Sequence, residues 1–262
     1  MNLDHELALA LELADIADAV SLPYFRNVNL KVDRKADRTE VTQADQETEA
    51  AIRAHLTKHR PTHAVLGEED GLIGDADARC RWIIDPIDGT SNFVKGVPIW
   101  ATLIALEVDG ELVVGVASSP ALGRRWWAAQ GRGAYADGHP IHVSSINRLD
   151  EAHLSHAGVA LFDSFGSPER CDALVQLTKD VWRERGLGDF WMHVLVAEGA
   201  FDIAVESIVN TWDLAALLVI VEEAGGTFTD LHGRRRADGG SALSTNGPLH
   251  AVVLERLGLS GE

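Results

Sequence analysis

Trp82-Ile83-Ile84-Asp85-Pro86-Ile87-Asp88-Gly89-Thr90-Ser91-Asn92-Phe93 begins as a short apolar run, the pattern of a buried strand. The run ends at Asp85-Pro86, where proline removes a backbone N–H and fixes a turn. Two carboxylates three residues apart then meet Gly89-Thr90, just before a segment that can begin a helix. Free N–H groups at a helix start bind phosphate oxygens, and glycine lets the backbone come close. Carboxylates beside such amides repel a phosphate unless cations lie between them. The stretch therefore reads as a magnesium–phosphate site. An Asp-Pro turn followed by an N-capped helix explains the same residues equally well at this point.

The rest of the chain narrows that choice. Its 262 residues suffice for one large or two modest domains with real cores. No apolar run approaches the roughly 20 residues needed to span a bilayer. Asp4, Glu6, Glu12, Asp15 and Asp18 interrupt the leucines and alanines at the start, so no secretory signal is read there. Cys80 and Cys171 are too few for a disulfide framework and read as buried, reduced thiols of a cytoplasmic protein. A formal net charge of −17 argues against nucleic acid or an anionic membrane as a partner. The same charge repels a phosphate ester unless a basic pocket or bound metal reverses the field locally. Acids stand in the right places and clustered bases are few, which favours metal. Arg234-Arg235-Arg236, set between Asp230-Leu231-His232-Gly233 and Asp238-Gly239-Gly240, reads as an exposed hairpin loop.

Along the chain, Leu3, Leu7, Ala10, Leu11, Ala14 and Ala17 recur at helical spacing until Ser21-Leu22-Pro23. A short strand at Asn29–Val32 and a polar loop from Asp33 to Glu40 follow. Thr42 caps a helix to about His59, with Asp45 three residues on. Capping accounts for Thr42, whereas Asp45 can equally face inward. Ala64–Glu69 is a strand running into two acids, and its end can meet that of the strand carrying Asp85. Trp100–Val108 and Leu112–Ala117 form a hairpin around Asp109-Gly110, and Arg125–Ala129 pairs with Gly133–Ala136. Gly131 and Gly133 do not complete a dinucleotide fingerprint, and His139 with His142 lack partners for zinc. Trp126 and Trp127 read as packing residues. Beyond about residue 143 the pattern alternates: a strand at Ala152–Ser155, a helix from Pro168 to Val181, and a strand at Phe201–Glu206. Asp213 then reads as the cap of an apolar helix, before strands at Gly226–Thr229 and Ala242–Thr245 and a last helix from Pro248. This change suggests two units, 1–142 and 143–262.

With Val41-Thr42-Gln43-Ala44-Asp45, Gly67-Glu68-Glu69, Asp85 to Thr90, Trp212-Asp213, Glu222 to Gly226 and Thr245-Asn246-Gly247 in view, the chain resembles the inositol monophosphatase family over nearly its whole length. The resemblance implies a five-layer αβαβα sandwich shared with the sugar bisphosphatases, a magnesium-dependent phosphomonoesterase site between the halves, and a homodimer. It implies one magnesium on Glu68, Asp85 and the Ile87 carbonyl, and a second on Asp85, Asp88 and Asp213. Asp45 matches a position near a third. The Gly89 and Thr90 amides are implied to hold the phosphate. Glu68, Thr90 and Asp88 are implied as the catalytic set, with Thr90 and Glu68 orienting the attacking water.

Family membership leaves the ester open among inositol phosphates, sugar phosphates, adenosine bisphosphate and histidinol phosphate. Spaced back from Asp213, Asp189 stands where inositol-type enzymes carry a small residue and bacterial histidinol-phosphate phosphatases of the family carry Gly-Asp. Glu206 matches the position that contacts the alcohol part of the substrate. Two carboxylates beyond the metals suit a substrate with a cationic amino group and an imidazole, which points to L-histidinol phosphate. Leu187, Phe190 and Trp191 depart from the glycine, cysteine and tyrosine often found in that segment. Phe190 or Trp191 can stack on an imidazole or pack in the core. The reading from another class is a regulatory protein- or RNA-binding module.

Overall fold

The computed structural model describes residues 1–34, 40–165 and 168–258. Alternation in the central strands fixes the layering, because successive side chains on a strand point to opposite faces. The chain runs α1 (Leu3–Ser21), β1 (Val32–Arg34), β2 (Glu40–Thr42), α2 (Gln43–His59), β3 (Ala64–Gly67), β4 (Gly71–Ile73), β5 (Cys80–Asp88) and α3 (Thr90–Lys95). It continues through β6 (Ala101–Val108), β7 (Glu111–Ser119), β8 (Arg124–Ala129), β9 (Ala134–Ala136) and β10 (His139–Ile141). β11 (His153–His156), α4 (Val159–Phe165), α5 (Pro168–Asp180), β12 (Arg183–Arg185), α6 (Asp189–Ala197) and β13 (Ile203–Glu206) come next. α7 (Thr211–Glu223), β14 (Thr227–Thr229), β15 (Ala242–Thr245) and α8 (His250–Arg256) complete it.

The larger sheet has the strand order β10-β9-β8-β7-β6-β5-β3-β4, antiparallel except where β3 and β5 run parallel. Trp82, Ile84, Ile104, Leu106 and Val114 face α1 and α2, burying Leu9, Leu13, Ile52 and Leu56. Ile83, Leu103, Ala105, Ala117 and Trp126 point the other way, against α6 and α7. α7 is buried on every side from Leu214 to Val221, as befits a helix between two sheets. The second sheet, ordered β12-β11-β13-β15-β14, lies beyond it. Its far face packs Leu154, Ile203, Val205 and Leu243 against Phe162, Leu174, Leu177 and Val253 of α4, α5 and α8. The result is the five-layer α/β/α/β/α sandwich expected.

Some local expectations are corrected. The first short strand is Val32–Arg34, not Asn29–Val32, because it pairs with Glu40–Thr42. Of the polar loop expected over Asp33 to Glu40, residues 35–39 lie outside the described residues. α6 and α4 were not anticipated; the glycines and aromatics around Asp189 hide the helical periodicity of α6. Cys80 is buried but Cys171 is only half-buried, and both are free thiols. No helix among the described residues is long and apolar enough to cross a membrane. Trp126 is a core residue and Trp127 stacks on Tyr135 at 6.0 Å, so both pack as expected. Arg235 pairs with Glu222 and Glu111 and Arg236 with Asp238, so two guanidinium groups of that basic cluster are paired with neighbouring acids.

Candidate active site

β3 and β5 run side by side, so the acids at their ends emerge on one edge of the sheet. α7 starts at Thr211 and turns its first carboxylate toward the same edge. One ligand oxygen from each of Asp85, Asp88 and Asp213 falls within 4.8 Å of the others. All three, with Glu68, Ile87, Gly89, Thr90, Asn92, Asp189 and Glu206, line a cleft of about 700 Å³. Asp45 does not line the cleft; it stands behind Thr90, whose hydroxyl approaches its Oδ1 at 3.2 Å and the Ile87 carbonyl at 2.9 Å.

Each acid is fixed by local backbone chemistry. The strand does not end at Asp85-Pro86 as expected: β5 runs on to Asp88 with its pairing to β6 interrupted between Asp85 and Asp88, and there Asp85 Oδ1 accepts the Ile87 N–H at 2.9 Å. Asp88 Oδ2 accepts the Phe190 N–H at 2.7 Å, tying β5 to α6. Asp213 is not the cap of α7. Asn210 is the cap, and Asp213 Oδ2 accepts its backbone N–H at 2.7 Å as the third residue of a capping box. Asp45 does the same for Thr42, at 2.8 Å, on α2. One carboxylate oxygen of each thus serves its own helix. Gly89 has φ 82°, a left-handed conformation that admits the sharp turn into α3.

Burial and crowding put these groups under electrostatic load. Burial, then Glu68, Asp88 and Asp213, push the Asp85 carboxyl well above the usual range. Asp88 is raised similarly by burial, Asp189 and Asp213. Asp213 is pushed up to about 7, chiefly by burial. Beyond the trio, burial and then Glu206 bring Asp189 to about 7, and burial brings Glu206 to about 8. Carboxyls in this state hold protons near neutral pH or need cations to stay ionised.

A family model described as the inositol monophosphatase family matches residues 2–257. The chain belongs to the inositol monophosphatase family. It is 51% identical over 257 residues to a histidinol-phosphatase of Mycobacterium tuberculosis, covering 96% of this chain and 97% of that one. It is 45% identical over 258 residues to a histidinol-phosphatase of Streptomyces coelicolor, covering 95% of each. The solved extragenic suppressor protein suhB of Bartonella henselae superposes with a TM-score of 0.89 at 29% identity, covering 98% of this chain and 100% of that one.

Within the family frame, several residues of this site escaped the sequence reading. Asn92 Nδ2 donates to Asp189 Oδ2 at 2.8 Å and to the Ile99 carbonyl at 2.9 Å. Exposed Arg34 lines the cleft rim. His193 lies behind Glu206, and Glu49 lies beneath the loop carrying Glu68. For two of them a signal was present: His193 follows Asp189 by four residues and Glu49 follows Asp45 by four, which places each pair on one helix face. Phe190 is wholly buried edge-on to Trp126 at 5.9 Å, a core residue. Trp191 is partly buried and packs against the same core.

Proposed function

We propose that this chain is a magnesium-dependent phosphomonoesterase hydrolysing L-histidinol phosphate to L-histidinol and phosphate. The observation that carries the reading is the pair Asp189 and Glu206, set in the cleft beside the Asp85, Asp88 and Asp213 trio. Near-full-length identity of 51% to a histidinol-phosphatase supports it.

The acids fit magnesium. Hard cations take oxygen ligands, and carboxyls whose pKa values are raised by burial and by each other are stabilised as anions when a cation lies among them. Glu68, Asp85 and the Ile87 carbonyl would hold one ion, and Asp85, Asp88 and Asp213 a second. Asp45 would lie near a third. Bound magnesium supplies Lewis-acid charge that acidifies water and offsets charge on the phosphoryl and leaving oxygens.

The protein's own groups do the positioning. The Gly89 and Thr90 amides bind phosphate oxygens at the start of α3. The Thr90 hydroxyl and Glu68 orient a water in line with the ester bond, and Glu68 takes up its proton. As the water oxygen bonds to phosphorus, the ester P–O bond breaks, and the departing alcohol oxygen takes a proton from a neighbouring water. Phosphoryl transfer needs such alignment and charge stabilisation more than covalent help. Asp189 and Glu206 hold the substrate's ammonium and imidazole groups. The same proposal includes a cytoplasmic homodimer.

The test is magnesium-dependent phosphate release from L-histidinol phosphate by the wild type and Asp88→Asn. Equal activity, or equal inactivity, in the two ends the metal-site reading. Comparing kcat/KM for L-histidinol phosphate and inositol 1-phosphate before and after Asp189→Ala then tests the substrate. An unchanged ratio removes Asp189 from specificity.

A further inference from the structure

His193 follows Asp189 by one turn of α6, so both side chains leave the same face of the helix. The ring is fully buried against the second sheet. Nδ1 lies 2.6 Å from Ser244 Oγ on β15, and Nε2 lies 3.2 Å from Glu206 Oε2 on β13. One edge of the ring tilts against Phe228 at 5.8 Å between centroids. Neither the phosphate chemistry nor the metal set uses this residue. Mere filling of the space would not call for two ring nitrogens aligned on two polar partners. An apolar side chain there would leave the buried Ser244 hydroxyl and one Glu206 oxygen without a partner, which is costly.

We propose that His193 is a positioning residue for Glu206. As the Nε2–H tautomer, fixed by the Ser244 hydroxyl donating to Nδ1, it grips one carboxylate oxygen and turns the other toward the alcohol part of the substrate. The pocket thereby prefers a cationic alcohol to a neutral one. The inference rests on the reading of Glu206 as a substrate contact.

The charge state agrees with the geometry. Burial pushes the ring down to about 3, so it stays neutral. A neutral donor orients the carboxylate without cancelling its charge, as an imidazolium would. Burial raises the empty pocket's Glu206 to about 8, and a substrate ammonium beside it restores the carboxylate. Orientation by a buried partner is what lets such a contact act without first ordering the side chain.

The test compares L-histidinol phosphate with glycerol 2-phosphate, the ester of a neutral alcohol, at saturating magnesium. His193→Phe keeps an aromatic ring beside Phe228 and removes both nitrogens. Its ratio of kcat/KM, histidinol over glycerol ester, is expected to fall about tenfold, the scale of one charge-assisted hydrogen bond. The loss should appear in KM for L-histidinol phosphate rather than in kcat. His193→Gln, with an amide donor in place of Nε2–H, is expected to recover most of the ratio. Ser244→Ala frees the tautomer and is expected to give part of the loss. In a Glu206→Gln background, His193→Phe should lower the ratio no further. An equal fall for both esters, or an unchanged ratio in His193→Phe, overturns the proposal. If His193→Phe does not fold, an unchanged ratio in Ser244→Ala overturns it instead. Glu206→Gln alone reports on the underlying reading: a ratio that it leaves unmoved sinks that reading. A ratio that moves with Glu206→Gln but not with His193→Phe sinks only the inference made here.

Discussion

A β-carbon on Gly67 would overlap the Glu49 carboxyl group, so the end of β3 crosses α2 only as glycine. That carboxylate accepts the Glu69 N–H at 2.9 Å and the Asp70 N–H at 3.0 Å, and it pairs with Arg53 Nε at 2.8 Å. Arg53 in turn donates to the Val65 and Gly71 carbonyls, at 3.1 and 2.6 Å. The network clamps the chain on both sides of Glu68. Glu49→Gln keeps one acceptor oxygen but sets an amide donor against one of the two backbone N–H groups, and it takes the countercharge from the buried Arg53 guanidinium. It is expected to cost about 3 kcal/mol of stability. It should also weaken magnesium binding about tenfold by releasing Glu68. Denaturant melts and a magnesium titration of activity check both, and a variant with wild-type values in each would show the clamp to be dispensable.

Removing divalent cations should reveal the crowded carboxyls as a pH-dependent loss of stability. Glu206 sits at about 8 and Asp189 and Asp213 at about 7 in the folded chain, far above ordinary carboxyls. Each binds a proton in the folded state where the unfolded chain has lost it. Their stabilising share is present at low pH and disappears as pH rises through the folded values. Buried His193 and His250, pushed down to about 3 and about 4 from 6.5, act oppositely and chiefly below that ordinary value. Between pH 6.5 and 8 the acids dominate, so Tm without metal should fall. Magnesium favours the ionised carboxylates, and its gain in Tm should widen over that interval. Melts with chelator and with magnesium decide it; a gain that stays flat or narrows contradicts the assignment.

The layered fold was legible through the resemblance carried by the motifs at Gly67-Glu68-Glu69, Asp85 to Thr90 and Trp212-Asp213, whereas the apolar runs around Asp85 and the hairpin at Asp109-Gly110 by themselves showed only strands. The candidate site came with the same resemblance, because residue by residue two of its acids read as helix-start residues. Asp45 and Asp213 look like ordinary helix-start residues, and they are: each satisfies a capping box with one oxygen. The capping reading and the site reading do not compete, since a carboxylate has a second oxygen to offer. Glu49, His193 and Asn92 were missed because the groups they hold (the backbone of Glu69 and Asp70, Glu206 and Asp189) are distant in sequence. Glu49 on a charged helix reads as solvated, and His193 in an apolar helix reads as core. Only the crossing of α2 under β3, and of α6 over β13, shows what they hold.

A substitution on the α7 side separates the capping job of Asp213 from the metal ligation proposed for it. Asp213→Asn retains an oxygen able to accept the Asn210 N–H, so the helix start should survive. The cluster loses one negative charge, and metal-free stability near pH 8 should rise because like-charge crowding eases. Activity should fall by a hundredfold or roughly that order, as expected when a group that organises phosphoryl transfer is lost. Circular dichroism, melts without metal and phosphate release measure the three. Retained activity would remove Asp213 from the ligand set.

Asn92 and Asp189 test how the specificity side of the cleft is held. Asp189 has φ 51°, a left-handed backbone that aspartate and asparagine tolerate better than most residues. Its side chain is held by the Asn92 amide at 2.8 Å across from α3. Asn92→Ala removes that donor and leaves the carboxylate to swing. KM for L-histidinol phosphate should rise about tenfold, the scale of one hydrogen bond to a charged group. Asp189→Asn keeps the backbone tolerance and loses the charge, so it should cost substrate preference without straining the left-handed turn. Asp189→Ala should lose preference and also about 1 kcal/mol of stability, because alanine pays for the left-handed turn. Equal melts for Asp189→Asn and Asp189→Ala would remove backbone strain from the account. An unchanged KM in Asn92→Ala would mean that Asp189 is positioned by the helix start alone.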